Sequence, residues 1–241
     1  FTSFHGFLGI EEIPFWVSFP VTVFTIVLII NAVNLIDGID GLAASIGIVA
    51  SVTFGIFFYL SGDYAYTVMA AALLGALLAF LRFNLSDGRF KIFMGDTGSL
   101  VIGFTLAVFA VHFNEVVAAG RSVLAISSAP SVAIGILIVP LFDTLRVIIL
   151  RLRYHQSPFQ ADHRHIHHTM LRAGLTHKGA TLLITLFNIL MIGVSFLLDG
   201  IGILWLGLVL LSLCLLATMI LMRIVTKKES GIITAPDPQG I

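Results

Sequence analysis

Long apolar runs alternate with short polar stretches along almost the whole chain. The runs cover residues 15 to 33, 42 to 60, 65 to 82, 99 to 113, 123 to 150, 179 to 198 and 201 to 223. Most of them approach the roughly 20 residues that an α-helix needs to cross a hydrocarbon layer of about 30 Å. The pattern therefore predicts an all-α fold, a polytopic transmembrane helix bundle of about seven spans.

The fifth run is longer than one membrane span requires, and it contains Pro130 and Pro140. Proline lacks a backbone N–H, and its ring collides with the preceding turn of a helix. We therefore expect a kink or a break within this run. The part after Pro140 is expected to project toward the cytoplasm.

Composition supports a membrane protein. Hydrophobic residues make up 58% of the 241 residues and charged residues only 11%, whereas a soluble domain carries about 25% charged residues. The one cysteine, Cys214, lies within an apolar run, so the chain can form no internal disulfide.

The basic residues give the predicted bundle a direction. If the first run crosses the membrane inward, all but one of the 13 lysines and arginines fall on the same side, and Arg121 is the exception. Basic residues of membrane proteins concentrate on the cytoplasmic side. We therefore expect the N-terminus outside and the C-terminus in the cytoplasm. Residues 1–226 are expected to form one transmembrane domain, followed by a flexible cytoplasmic tail at 227–241.

The first of three polar segments follows directly on the first apolar run. It reads Asn31-Ala-Val-Asn34-Leu-Ile-Asp37-Gly-Ile-Asp40-Gly41. Helical spacing stacks Asn34, Asp37 and Gly41 on one side, with Asp40 adjacent. Acidic residues at a membrane boundary are candidates for a functional site. The alternative is an ordinary polar loop with glycine breakers.

The second polar segment, Phe93-Met-Gly-Asp96-Thr-Gly-Ser99, precedes a new apolar run. Asp96, Thr97 and Ser99 are all suitable N-cap residues for that helix. Asp96 is also a suitable oxygen ligand for Mg²⁺, which takes one or two carboxylates and completes its shell with water and phosphate oxygens. The neighbouring helix N-terminus favours an anion. Phe93 either stacks on a base or packs against lipid.

The third polar segment, residues 151 to 178, carries a histidine cluster. Its five histidines are His163, His165, His167, His168 and His177. Neutral imidazoles with this spacing are suitable zinc ligands. Alternatively, His165 and His168, together with Arg164 and Arg172, would hold the phosphates of an anionic substrate. Five basic residues flank the cluster and would repel a dication, which favours phosphate: Arg151, Arg153, Arg164, Arg172 and Lys178.

At these residues the chain resembles the polyprenyl-phosphate N-acetylhexosamine-1-phosphate transferase family. The Asn31 to Gly41 segment is similar to the family signature Asn-x-x-Asn-x-x-Asp-Gly-x-Asp-Gly, and the Phe93 to Ser99 segment is similar to its Mg²⁺ loop. His165-Ile-His167-His168 resembles the His-Ile-His-His motif of the undecaprenyl-phosphate GlcNAc-1-phosphate transferase branch. The resemblance extends from about Phe4 to Lys178.

The resemblance implies an enzyme that transfers N-acetylhexosamine 1-phosphate, expected to be GlcNAc-1-phosphate, from a UDP-sugar to polyprenyl phosphate and releases UMP. Asp96 would ligate Mg²⁺, with Mn²⁺ as a substitute, and Asp37 and Asp40 would shape the nucleotide and metal site. The remaining implied site residues are Asn31, Asn34 and Asn84 toward the nucleotide, Phe93 on uracil, and Arg164, His165, His167 and His168 toward the diphosphate.

The resemblance further implies a bacterial inner membrane enzyme with its active site on the cytoplasmic face and no nucleic-acid partner. A homodimer is left open. The family's Asp-Asp-x-x-Asp motif has no counterpart in this chain. We therefore expect the chain to be an N-terminally truncated portion that lacks activity alone. Two rival hypotheses are a divalent-metal transporter, which requires acids within the spans, and an inactive membrane scaffold.

Overall fold

A computed structural model describes residues 2–7, 10–86, 88–155 and 165–233. The chain begins with a short antiparallel hairpin, β1 (Ser3–Phe7) and β2 (Ile10–Glu12). The helices that follow are α1 (Phe15–Ile36), α2 (Leu42–Leu60), α3 (Tyr64–Asn84), α4 (Gly95–Ala118), α5 (Ala129–Ile136), α6 (Ile138–Arg153), α7 (Ile166–Arg172), α8 (His177–Leu197) and α9 (Ile203–Ile233). A single 3₁₀ turn, Asp199–Ile201, separates α8 from α9.

Six of these helices are long and apolar enough to cross a membrane, namely α1, α2, α3, α4, α8 and α9. The bent pair of α5 and α6 would make a seventh span. The predicted all-α bundle of about seven spans is therefore confirmed, and the protein is a multi-pass membrane protein. The hairpin before α1 is an addition that the apolar pattern did not predict.

The predicted break in the fifth run lies at Leu137, where α5 and α6 meet at an angle of 84°. Both prolines occupy the first turn of a helix, Pro130 in α5 and Pro140 in α6. Backbone N–H groups have no partner within the helix in a first turn, so a missing N–H there removes no hydrogen bond. The chain therefore breaks before Pro140 and starts a new helix around it.

A close contact between α1 and α4 sets the position of the first two polar segments. A Cβ added at Gly103 of α4 would lie only 2.8 Å from Cα of Ile30 in α1. The absence of a side chain at Gly103 thus lets the two backbones approach closely. Further along α4, Phe109 and Phe113 pack against Phe54, Phe57 and Phe58 of α2, all with almost no exposed surface.

The alternating direction of the helices places all three polar segments at one end of the bundle. We call this the motif end; it comprises residues 34–41, 85–86, 88–99, 154–155 and 165–177, which are connections between the long helices and the helix ends beside them. Contacts across it join segments that are distant in sequence, such as the Thr181 hydroxyl, which donates to the backbone O of Asp40 at 2.8 Å. At the opposite end, the Asp199 carboxylate accepts the backbone N–H groups of Ser127 and Ser128.

The last helix, α9, continues through Lys227 to Ile233. Residue 227, where the tail is expected to begin, lies within this helix, and the division into domain and tail stays a prediction. An apolar helix continues past its membrane-spanning part because a helical backbone makes its own hydrogen bonds in water as well as in lipid. Residues 234–241 lie outside the described part of the chain.

Candidate active site

Asn34 connects the first polar segment to the second. Its side-chain Nδ2 donates to the Ser99 hydroxyl at 2.8 Å and lies 3.3 Å from Oδ1 of Asp96. Both contacts follow from the close approach of α1 to α4. Asn31, one turn earlier, donates instead to the backbone O of Val27 in its own helix at 2.7 Å and is exposed.

Three carboxylates share this part of the motif end. Burial raises the pKa of Asp37 to about 6, and the negative charges of Asp96 and then Asp40 contribute to the same shift. Repulsion of this kind acts at short range, so Asp37 lies near both Asp96 and Asp40. The structure therefore concentrates negative charge around Asp37, where a cation would be stabilised.

Asp40 has a positively charged partner that the sequence analysis did not single out. The Lys91 ammonium donates to Oδ2 of Asp40 at 2.6 Å, and it also lies 5.4 Å from the ring centroid of Phe93. His177 Nδ1 lies 3.8 Å from the same Asp40 oxygen. In the sequence, Lys91 stands two residues before Phe93. Many other cationic residues lie near this end, so that position alone did not identify Lys91 as the partner of Asp40.

Asn84 connects the turn after Asp40 to the second polar segment. Its Oδ1 accepts the backbone N–H of Gly41 at 2.6 Å, and its Nδ2 donates to the backbone O of Ile92 at 2.8 Å. The side chain is only 5% exposed. Gly41 has a φ of +79°, a left-handed conformation that glycine adopts without strain. The contacts of Asn84 therefore favour a role in holding two loops together over direct contact with substrate.

The histidine motif packs directly against the first polar segment. The His167 ring is 2% exposed and lies against Gly38. Burial, and next the charge of His168, lower the pKa of His167 to about 4, so the ring is neutral at pH 7. Its ring lies parallel to that of His165 with centroids 5.6 Å apart, and 4.3 Å from the centroid of His168. These contacts favour packing as the main role of His167, between the two other histidines.

A substitution at Gly38 tests this packing. A Cβ at Gly38 would overlap Nε2 of His167 and lie 2.8 Å from its Cε1. Forcing extra atoms into a packed site costs about 1–3 kcal/mol. We expect Gly38→Ala to lower the free energy of unfolding by about that amount, measured by thermal unfolding in detergent. Gly75→Ala in α3, where a Cβ meets nothing within 4 Å, is the control, and equal stability of the two variants would contradict the contact.

His165 contacts an acidic residue that lies outside the three polar segments. Its Nδ1 lies 2.9 Å from Oδ2 of Asp143, which is buried in α6. Arg164, the cationic partner expected beside His165, lies outside the described residues, as does His163.

The residues present suit Mg²⁺ by their chemistry. Asn34, Asp37, Asp40, Asp96 and Ser99 present only oxygen and amide groups, and Mg²⁺ prefers oxygen ligands. Within residues 2–7, 10–86, 88–155 and 165–233, no group of three or more His, Cys, Asp or Glu side chains is arranged to hold a metal ion. Mg²⁺ does not need such a group, because it takes one or two carboxylates and fills its remaining positions with water and phosphate oxygens.

Fold and site together define a multi-pass membrane protein with an acidic and histidine-rich site at one end of its helix bundle. The model of glycosyl transferase family 4 matches residues 1–114. This match confirms the family resemblance for the first two motifs, which lie within it.

Named relatives agree with this resemblance. The chain is 34% identical over 177 residues to the undecaprenyl-phosphate alpha-N-acetylglucosaminyl 1-phosphate transferase of Salmonella typhi, which covers 73% of this chain and 46% of the relative. It is also 34% identical over 182 residues to the decaprenyl-phosphate N-acetylglucosaminephosphotransferase of Mycolicibacterium smegmatis. That alignment covers 70% of this chain and 44% of the relative. The chain thus spans about half the length of the curated relatives it matches.

Proposed function

We propose that the protein transfers N-acetylhexosamine 1-phosphate, with GlcNAc-1-phosphate as the favoured group, from a UDP-sugar to a polyprenyl phosphate and releases UMP. The names of its relatives support a prenyl-phosphate acceptor and an N-acetylglucosamine phosphate group. The observation that carries the proposal is the convergence of Asp37, Asp40 and Asp96 with the histidine motif at one end of the bundle. Phosphoryl transfer needs an acidic metal site beside groups that bind phosphate, and both types of residue are present there.

Each part of the site has a role in this proposal. When bound, Mg²⁺ would neutralise charge on the diphosphate, and Asp96 would hold it, with Asp37 nearby. His165 and His168 would bind phosphate oxygens, and Phe93, which is 76% exposed, would offer its face to uracil. Lys91 would guide the anionic substrate while it neutralises Asp40.

The acceptor needs little activation by a base. A phosphate monoester has its second pKa near about 6, so the attacking oxygen is largely ionised at neutral pH. The task left to the protein is to align the two phosphates and to stabilise the charge that spreads over them. We therefore assign Asp37 and Asp40 to electrostatic and positioning roles, with no general base required.

The proposal also assigns a location and partners. The protein would lie in a bacterial inner membrane with the motif end on the cytoplasmic side, where UDP-sugars are present. Its substrates would be a UDP-N-acetylhexosamine and a polyprenyl phosphate whose chain lies in the bilayer. The rival transporter hypothesis needs acids within the spans, and Asp143 in α6 is held there by Arg146 and His165.

Exchange of labelled UMP tests the proposal. Full-length protein in detergent is incubated with Mg²⁺, undecaprenyl phosphate, labelled UMP and one UDP-sugar at a time: UDP-GlcNAc, UDP-GalNAc or UDP-MurNAc-pentapeptide. We expect label to enter UDP-GlcNAc fastest, and only when the lipid phosphate is present. Exchange that is equally fast without lipid, or absent with every donor, would contradict the proposed function.

A further inference from the structure

Asp143 is a buried carboxylate outside the three motifs that contacts the histidine motif directly. It lies in the second turn of α6 and is 2% exposed. Its Oδ2 lies 2.9 Å from Nδ1 of His165, while its Oδ1 accepts the backbone N–H of Ile166 at 3.0 Å. Arg146, three residues later, donates to the same Oδ1 at 3.1 Å. A carboxylate removed from water is stable only with partners of this kind.

These contacts determine which nitrogen of His165 is available to a ligand. An ionised carboxylate can only accept hydrogen bonds, so Nδ1 of His165 carries a proton and donates it to Asp143. The Nδ1 proton is present in both the neutral and the charged form of a ring held in this way. Nε2 is then the nitrogen that can meet a phosphate, and it donates to one when the ring is charged.

The backbone contact fixes the ring further. Ile166 is the first residue of α7 and His165 is the residue that precedes the helix. Asp143 therefore holds the side chain of His165 and the start of α7 at the same time. The direction of the His165 ring is therefore set by α6.

We propose that Asp143 is a positioning residue for the sugar-phosphate transfer and that it acts through His165. This inference rests on the proposed function. Carboxylates that orient a functional histidine in this way fix its tautomer and its direction, and they stabilise its charged form while the histidine itself meets the reacting group. Asp143 would thus prepare His165 to donate Nε2–H to the diphosphate.

Asp199 provides a matched reference for a purely structural buried carboxylate. It is also nearly buried, and its two oxygens accept the backbone N–H groups of Ser127 and Ser128 at 2.6 and 2.7 Å. It lies at the end of the bundle opposite the motif end. Asp199→Asn therefore reports what the loss of a buried helix-end carboxylate does to stability without touching His165.

Activity measurements on single and double variants test the coupling. Asp143→Asn keeps an oxygen for Ile166 but presents an amide to His165. We expect kcat/KM to fall about 10- to 100-fold, the usual loss when the partner of a functional histidine is removed. The kcat/KM of His165→Ala should fall at least as far. The kcat/KM of the double variant, Asp143→Asn with His165→Ala, should fall no further than that of His165→Ala alone. Losses that multiply in the double variant would overturn the proposal, and Asp199→Asn should show no coupling to His165→Ala.

A spectroscopic signature distinguishes a residue that positions His165 from one that only stabilises the fold. Protein labelled with ¹⁵N-histidine should show His165 with its proton on Nδ1, the signal being identified by its loss in His165→Ala. We expect Asp143→Asn to remove that Nδ1–H signal, while Asp143→Glu and Asp199→Asn retain it. A wild-type His165 that carries its only proton on Nε2 would overturn the proposal, and this requires no Asp143 variant to fold. Absence of UMP exchange in the wild type would contradict the proposed function alone.

Discussion

Asp96→Asn should lower the rate of UMP exchange by about 10²- to 10⁴-fold while the protein still folds. A metal ion that stabilises transition-state charge contributes several kcal/mol, and each 1.36 kcal/mol corresponds to a factor of ten in rate. An amide has the shape of the carboxylate but lacks its charge, so it holds Mg²⁺ far more weakly. Folding should be preserved because Asp96 is exposed and the contact of its side chain with Asn34 is long, at 3.3 Å.

The measurement is exchange at increasing Mg²⁺ concentration. We expect Asp96→Asn to recover part of its activity only at Mg²⁺ concentrations well above those that saturate the wild type. Glu229→Gln is the matched control because it removes one exposed negative charge from α9 and should leave exchange unchanged. Normal exchange by Asp96→Asn at ordinary Mg²⁺ would show that Asp96 is not a metal ligand.

Mg²⁺ should bind the protein more weakly as the pH falls below about 6. In the absence of metal, burial and the charges of Asp96 and Asp40 raise the pKa of Asp37 to about 6. A proton and Mg²⁺ compete for the same negative charge, so each pH unit below that value should weaken binding by about tenfold when one proton is displaced. Titration calorimetry with Mg²⁺ between pH 5 and pH 7.5 measures this dependence.

The raised pKa of Asp37 also determines how the stability of the fold depends on pH. Because the folded-state pKa of Asp37 is raised from 3.8 to about 6, its contribution favours the folded state below pH 3.8 and is lost as the pH rises through about 6. Mg²⁺ relieves the repulsion above that pH, so it should raise the melting temperature more at pH 7.5 than at pH 5. Asp37→Asn should remove this difference between the two pH values. A wild type whose stabilisation by Mg²⁺ is equal at both would contradict the assignment.

The pattern of apolar runs was sufficient to predict the spanning helices. Six described helices overlap the predicted runs closely, as Leu42–Leu60 does for residues 42 to 60. Hydrophobicity over about 20 residues is a local property of the sequence, and in lipid a backbone must satisfy its own hydrogen bonds within a helix. The same local reasoning predicted a break in the fifth run, although its position at Leu137 depended on where each proline could enter a first turn.

Residue types in the motifs predicted the chemistry of the site, but only the fold determined their partners. Asp37, Asp40 and Asp96 were expected together because their motifs resemble those of a family. The partners of Asn34 depend on the fold, since the contact of α1 with α4 at Gly103 allows Asn34 to contact Asp96 and Ser99. Likewise, nothing local distinguishes Asn84 as the link between Gly41 and Ile92. Its two hydrogen bonds depend on how α3 ends beside both loops.

The sequence alone determined the membrane-spanning helices and the three polar segments, because helix formation and hydrophobicity depend on neighbouring residues. Tertiary structure decided which polar groups touch: Lys91 meets Asp40 across 51 residues, and His165 meets Asp143 across 22. It also decided that His167 lies buried against Gly38. Such pairs depend on the direction and packing of whole helices, which determine the position of a side chain only after the bundle has formed.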